Sequence, residues 1–165
     1  MLEWEERPFE IAYGLNPAFL AILIYQAVKS FEKKNSDGMP YVLSALVIPL
    51  VFYKPIREIL PKLETENIHD WLENNPQILI NLSTKISQLI PYFKEAIVFG
   101  MQHQILNINH YGKLTTTLNK LDLNSLNWIH SSKTYQVSEK AKFLGKWFSE
   151  LDNPEIIYRS LGIKP

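Results

Sequence analysis

The sequence contains no cysteine, no long apolar run and no excess of either charge. The absence of cysteine among 165 residues excludes disulfide bonds and thiolate metal sites. The two most apolar runs, residues 18–28 and 41–53, are shorter than the roughly 20 residues that cross a bilayer, so no membrane span is expected. The acidic start of the chain is the opposite of a signal-peptide n-region. We therefore expect a cytoplasmic protein.

The motifs that carry most enzyme chemistry are also missing. There is no Gly-rich phosphate loop, no Ser-centred nucleophile elbow and no cysteine nucleophile. The histidines are not spaced as metal ligands. The carboxylates at positions 66, 70 and 73 share one helical face, which is typical of a solvated acidic surface. We expect a protein that is not an enzyme and has no catalytic residue, no cofactor and no bound metal.

The residues that are present predict a single domain over residues 1–165, mostly helical and of the α+β class. A hydrophobic content of 46% and a charged content of 21% are typical of globular proteins. Asn-Pro pairs predict helix starts, because asparagine caps the helix and proline tolerates its first position. The first pair opens a helix over residues 17–33, which is apolar nearly all round and is expected to be central.

Residues 91–151 hold the most informative pattern. An amphipathic helix is expected to begin at Pro91, and a close helix crossing would explain Gly100 on its apolar face. Between residues 105 and 118 the hydrophobic period changes to two around a Tyr-Gly turn, which predicts a β-hairpin. Ser138 is expected to cap a second amphipathic helix that ends at Leu151. Helix, hairpin, helix is the order of elements around the wing of a winged-helix domain.

Charge is unevenly distributed along the chain, although the net charge is zero. Residues 1–84 carry 7 basic and 11 acidic residues, whereas residues 85–165 carry 10 basic and 6 acidic ones. A winged hairpin would bring five lysines of the basic half to a phosphate backbone: Lys113, Lys120, Lys133, Lys142 and Lys146. The alternative is ordinary solubilising charge, since no arginine is present among them to read a base edge.

Ordered segments along nearly the whole chain resemble one bacterial family. They are NPAF at residues 16–19, PLVFYK at 49–54, Arg57-Glu58, Leu60-Pro61, Trp71-Leu72, Pro91-Tyr92, Glu95-Ala96, FGMQH at 99–103, KAKFLGKWF at 140–148 and LGIKP at 161–165. Together they resemble the middle component of three-component ABC systems, and in particular the small subunit of Lamassu-type defence complexes.

The resemblance implies a role without chemistry. Such systems pair an SMC-like ABC ATPase with an effector, often a nuclease, and act in the bacterial cytoplasm against phage or plasmid DNA. The middle component implied here is an adaptor that bridges the two and holds the effector until foreign DNA is sensed, with duplex DNA as a further contact inside the complex. The charged residues Lys54, Arg57 and Glu58 are interpreted as a surface ion-pair group or a partner interface. The rival hypothesis is a stand-alone winged-helix regulator that binds DNA.

Overall fold

The computed structural model of the chain describes residues 6–8, 14–117, 132–151 and 153–163. These residues form a mostly helical structure with one small antiparallel sheet, which confirms the predicted α+β class. The elements are α1 (Pro17–Glu32), β1 (Met39–Pro40), α2 (Tyr41–Ser44), α3 (Val47–Phe52), α4 (Lys54–Glu58), α5 (Ile68–Asn74), a 3-10 helix (Pro76–Leu79), α6 (Leu82–Gln102), β2 (Leu106–Ile108), β3 (Lys113–Thr116), α7 (Lys133–Ser149) and α8 (Pro154–Ser160). None of the helices in these described ranges is long and apolar enough to cross a membrane.

Helix α1 lies at the centre of the hydrophobic core. Its start agrees with the sequence, because the Asn16 Oδ1 accepts a hydrogen bond of 2.8 Å from the Ala18 amide and Pro17 occupies the first turn. Ten of its 16 residues are buried, including Leu20, Leu23 and Ile24 on several sides of the helix. Both long helices, α6 and α7, pack against it. The prediction of a central helix is therefore confirmed.

A close approach of two helices joins α1 to α7. A Cβ atom added to Gly145 would lie 2.8 Å from the carbonyl carbon of Ala27 and closer still to its oxygen, so the two backbones touch directly. Beside this crossing the buried Ser138 hydroxyl donates a 2.6 Å hydrogen bond to Gln26 Oε1. The crossing that we expected at Gly100 is therefore at Gly145, since the atoms nearest to Gly100 belong to the side chain of Leu106 in β2.

The three strands form one antiparallel sheet in the order β1, β3, β2. Leu106 pairs with Thr116 and Ile108 with Leu114, which confirms the hairpin predicted near residues 105–118. Asn109 shapes the turn, because its Oδ1 accepts hydrogen bonds from the amides of Tyr111 and Lys113. The winged-helix assignment stays a prediction.

A carboxylate fastens the sheet to α1. The two oxygens of Glu32 accept hydrogen bonds from the Thr116 amide at 3.0 Å and from the Thr116 hydroxyl at 2.6 Å. A charged acceptor makes such bonds stronger than neutral ones. The end of α1 thereby sets the position of β3.

Two predicted helix starts were wrong. Pro91 lies inside α6, whose solvent side contains both Pro91 and Ser87, so water can hydrate the Ser87 carbonyl that loses its helical donor. Helix α7 begins one and a half turns before Ser138, because the Ser132 hydroxyl accepts from the Tyr135 amide and is the true cap. Ser138 instead uses its hydroxyl for the buried hydrogen bond to α1.

The close contact between α1 and α7 predicts that a larger residue at position 145 destabilises the fold. Gly145→Ala should lower the free energy of unfolding by at least about 2 kcal/mol, because the added methyl group overlaps backbone atoms that cannot rotate away. Urea unfolding followed by circular dichroism measures the change. Gly14→Ala is the matched control, since no heavy atom lies within 4 Å of its added Cβ. Equal stability of the two variants would contradict a tight crossing.

Candidate functional site

The short helix α4 is positioned by its own arginine. The Arg57 Nη1 donates hydrogen bonds to the Val51 carbonyl at 2.6 Å and to the Phe52 carbonyl at 3.3 Å, at the end of α3. A cation on the last carbonyls of a helix is stabilised by the negative end of the helix dipole. Arg57 therefore holds α4 against α3; its assignment to a partner interface stays a prediction.

Two tryptophans fix the linker that follows α4. The indole N–H of Trp71 donates to the Ile59 carbonyl at 2.6 Å, and that of Trp147 donates to the Glu66 carbonyl at 2.8 Å. Both rings are buried, and they meet edge to face with their centroids 5.1 Å apart. Helices α5 and α7 thus hold the two ends of the linker, which keeps α4 beside α7.

A groove of about 690 Å³ lies between α4 and the first half of α7, and we call it the charged groove. Its lining is Lys54, Arg57 and Glu58 from α4, and Lys133, Tyr135, Gln136, Glu139 and Lys140 from α7. The three predicted interface residues therefore share one site with Lys133, which the sequence predicts as a nucleic-acid contact. Sequence reasoning missed the other four residues. Two of them could have been found from the sequence, because the spacing of Lys133, Gln136 and Lys140 places these three residues on one face of a helix.

Ion pairs neutralise some of the charges in this groove and leave others unmatched. Lys54 Nζ lies 3.6 Å from Glu58 Oε1, with both side chains more than half exposed, so the pair contributes less than about 1 kcal/mol. Glu139 pairs with Lys142 at 2.6 Å, one turn along α7. Within the described ranges neither Lys133 nor Lys140 has a carboxylate within ion-pair distance.

The side chain of Lys140 is partly buried and therefore partly removed from water. Its Nζ lies 5.4 Å from the centroid of the Phe143 ring, within the range of a cation–π contact. Partial burial lowers the pKa of Lys140, because removing water penalises the charged ammonium. An incoming negative group would therefore interact with this amine more strongly than with a fully hydrated lysine.

The lysines predicted to contact nucleic acid do not form one surface. Lys113 on β3 lies 3.7 Å from Asp37 and shares a depression with Leu151, beyond the far end of α7 from the charged groove. Lys146 pairs with Glu64 at 3.2 Å, and Lys142 pairs with Glu139. Lys120 lies outside the described residues. Of the four described lysines, Lys133 alone lines the charged groove.

The described part of the chain contains no group of three metal-ligating side chains close enough to hold an ion. His103 stacks on Phe99 with the ring centroids 3.9 Å apart, and His110 lies against Tyr111 in the hairpin turn. His130 is outside the described residues. The charged groove is lined by ammonium groups, carboxylates and aliphatic side-chain stems, which can bind a partner molecule through ion pairs and apolar contacts.

Comparison with known proteins identifies a family that resembles the chain. A family model described as ABC-three component (ABC-3C) system Middle Component 3 matches residues 4–165 of the chain. No curated protein and no solved structure matches it. The family match therefore covers every element of the fold described above.

The contact of Arg57 with the end of α3 leads to a prediction about stability. Arg57→Gln should lower the free energy of unfolding by about 1–2 kcal/mol, because two carbonyls at the end of α3 lose a charged donor. The control Lys54→Gln should stay within about 0.5 kcal/mol of the wild type, since its side chain is 72% exposed. Denaturant unfolding compares both. An unchanged Arg57→Gln protein would show that the α3 contact contributes nothing.

Proposed function

The chain belongs to the Middle Component 3 family of ABC-three component systems, and on that basis we propose that it is the adaptor that bridges the other two components. In this proposal one partner is an SMC-like ABC ATPase and the other is an effector, a nuclease in Lamassu-type defence complexes. The adaptor performs no chemistry itself. It holds the effector inactive until the complex senses foreign DNA, in the bacterial cytoplasm.

The observation that supports this role is the charged groove. Lys54, Arg57 and Glu58 lie next to each other in sequence, but Lys133 comes from a helix that begins about 75 residues later. Stable protein interfaces bury about 800 Å² on each partner, so we propose that the groove is the centre of a wider contact surface. The helices that form its walls are fixed by the core, which reduces the entropy lost on binding.

A rigid wall suits an adaptor for a physical reason. A subunit that joins two others can transmit a conformational change from one interface to the other only if its own helices and strands keep their relative positions. Here α7 touches the backbone of α1 at Gly145, and α1 holds the hairpin through Glu32. We propose that the ATPase and the effector bind different parts of this connected set of elements.

Co-purification tests the proposal. The chain should co-purify in stoichiometric amounts with the ATPase and effector encoded beside it when all three are co-expressed. Charge reversal by Lys54→Glu with Lys133→Glu should weaken retention of one partner about tenfold or more, because both lysines are exposed and line the groove. Lys33→Glu, an exposed lysine outside the groove, should leave retention unchanged. A wild-type chain that stays alone beside its co-expressed partners would overturn the proposal.

The rival function, a stand-alone winged-helix regulator, makes a different prediction. It predicts tight, salt-sensitive binding of duplex DNA. The adaptor proposal instead predicts that the isolated chain binds duplex DNA no more tightly than about 10⁻⁵ M at physiological salt, because Lys113, Lys142 and Lys146 are already paired with carboxylates. Fluorescence anisotropy with a labelled duplex, repeated at several salt concentrations, measures this affinity. Nanomolar binding with a steep salt dependence would favour the regulator and require a DNA contact that the adaptor proposal places only inside the complex.

A further inference from the structure

One wall of the charged groove has a regular pattern of side chains. Lys133, Gln136 and Lys140 follow each other on a single face of α7, at the i, i+3 and i+7 positions. With a rise of 1.5 Å per residue, the two lysines are separated by roughly 10 Å along the helix axis. The wall therefore presents two cations two turns apart, with a neutral amide between them.

Among the described residues, these two are the groove cations whose ammonium group has neither a carboxylate nor a carbonyl acceptor. Lys54 is close to Glu58, Arg57 donates to the carbonyls of α3, and Glu139 is paired with Lys142. Within residues 6–8, 14–117, 132–151 and 153–163, Lys133 and Lys140 have no carboxylate within ion-pair distance. The electrostatic complement of these two lysines, as far as the described residues show, is two negative groups at about this separation.

Helix stability does not explain the position of Lys133. It is the first residue of α7, where the positive end of the helix dipole disfavours a cation, and the first turn contains no acidic residue. Lys140 is likewise partly desolvated without gaining a carboxylate partner in the described chain. In the described part of the chain both charges thus carry a small free-energy cost that a negatively charged partner would lower.

We infer that the charged groove receives an acidic helical segment of a partner protein, with carboxylates seven residues apart that pair with Lys133 and Lys140. Residues seven apart on a helix lie on one face and are separated by the same roughly 10 Å as the two lysines. This inference rests on the proposed adaptor function and specifies the chemistry of one partner. Docking a helix into a groove between two helices is a common mode of peptide recognition.

The groove fits a peptide better than a nucleic acid. Glu58 and Glu139 line it together with the cations. Each strand of a duplex carries a negative charge about every 3.4 Å along its axis, so a phosphate backbone would meet these carboxylates as well. A protein segment can place neutral or basic residues opposite Glu58 and Glu139 and acidic ones opposite the lysines. The mixture of charges in the groove therefore favours a partner whose own charges alternate in sign over a uniformly negative one.

A peptide titration of the full chain tests the inference. The probe is an alanine-based helical peptide of about 20 residues, long enough to form a helix in water, with two glutamates seven residues apart. Binding is followed by isothermal titration calorimetry and by amide shifts in NMR spectra at low salt. A peptide of the same composition with the glutamates two residues apart is the matched control, since those side chains point to different faces.

The expected result has two parts. The seven-residue spacing should bind about tenfold more tightly than the control, and Lys133→Gln with Lys140→Gln should remove that difference. The variant Lys33→Gln with Lys94→Gln removes two exposed lysines outside the groove and should bind both peptides as the wild type does. Equal binding of the two peptides would overturn the inference, and so would inorganic phosphate or a DNA duplex that shifts the groove amides while the peptide does not.

The co-expressed complex separates this inference from the proposed function. If Lys133→Gln with Lys140→Gln is retained by both components with unchanged salt sensitivity, the acidic segment does not exist and the adaptor role stands. If the wild-type chain binds neither component, the adaptor role itself falls. Thermal unfolding of each variant checks that the fold is intact, because Lys133 is exposed but Lys140 is half-buried and its ammonium contacts the Phe143 ring.

Discussion

The contact between the backbones of Ala27 and Gly145 is the constraint on which the rest of the structure depends. A helix that packs through side chains can slide by adjusting rotamers, but a backbone contact leaves no such freedom. The crossing fixes α7 against the central helix, and the buried Gln26–Ser138 hydrogen bond fixes its register. At the far end of α7, the Asn35 side chain donates to the Ser149 carbonyl at 3.2 Å. The wall of the charged groove follows from these three contacts.

The net charge of the chain is zero, but among the residues that the structure describes some lysines are paired with carboxylates in the fold and others are not. Most lysines that the sequence assigned to nucleic acid are paired in the fold, so their positive charge is largely neutralised locally. Lys133 is the exception among the described lysines of that set, and it lines the charged groove together with Lys140, Glu58 and Glu139. A neutral protein can therefore still recognise a charged partner, because recognition depends on the local pattern of charge and not on its sum.

The sequence was sufficient for features that depend on neighbouring residues. The Asn16 cap, the central helix and the hairpin were predicted because capping, apolar periodicity and alternation act over a few residues. The errors at Gly100 and Ser138 have one cause: a small residue or a serine gives the same local signal whether it contacts a strand, a helix or a cap. Only the tertiary contact of Ala27 with Gly145 shows which glycine lies at the crossing.

The candidate site was predicted in two halves that the sequence could not join. Lys54, Arg57 and Glu58 stood out as a charged group, and Lys133 belonged to a separate set of lysines. Their proximity depends on the linker held by Trp71 and Trp147, which is a long-range contact with no periodic signal. Arg57 shows the same limit, because its bond to the end of α3 requires knowing where that helix stops.

The two buried indoles have an optical consequence. Ring centroids 5.1 Å apart at an interplanar angle of 81° form a rigid pair of chromophores, close enough to exchange excitation energy. Each ring is also tied to the linker between α4 and α5 through its N–H group. The near-ultraviolet circular dichroism of the protein should therefore contain a signal from this pair that reports on the linker. A displacement of α4 by a partner would be visible in the wild-type chain without any label.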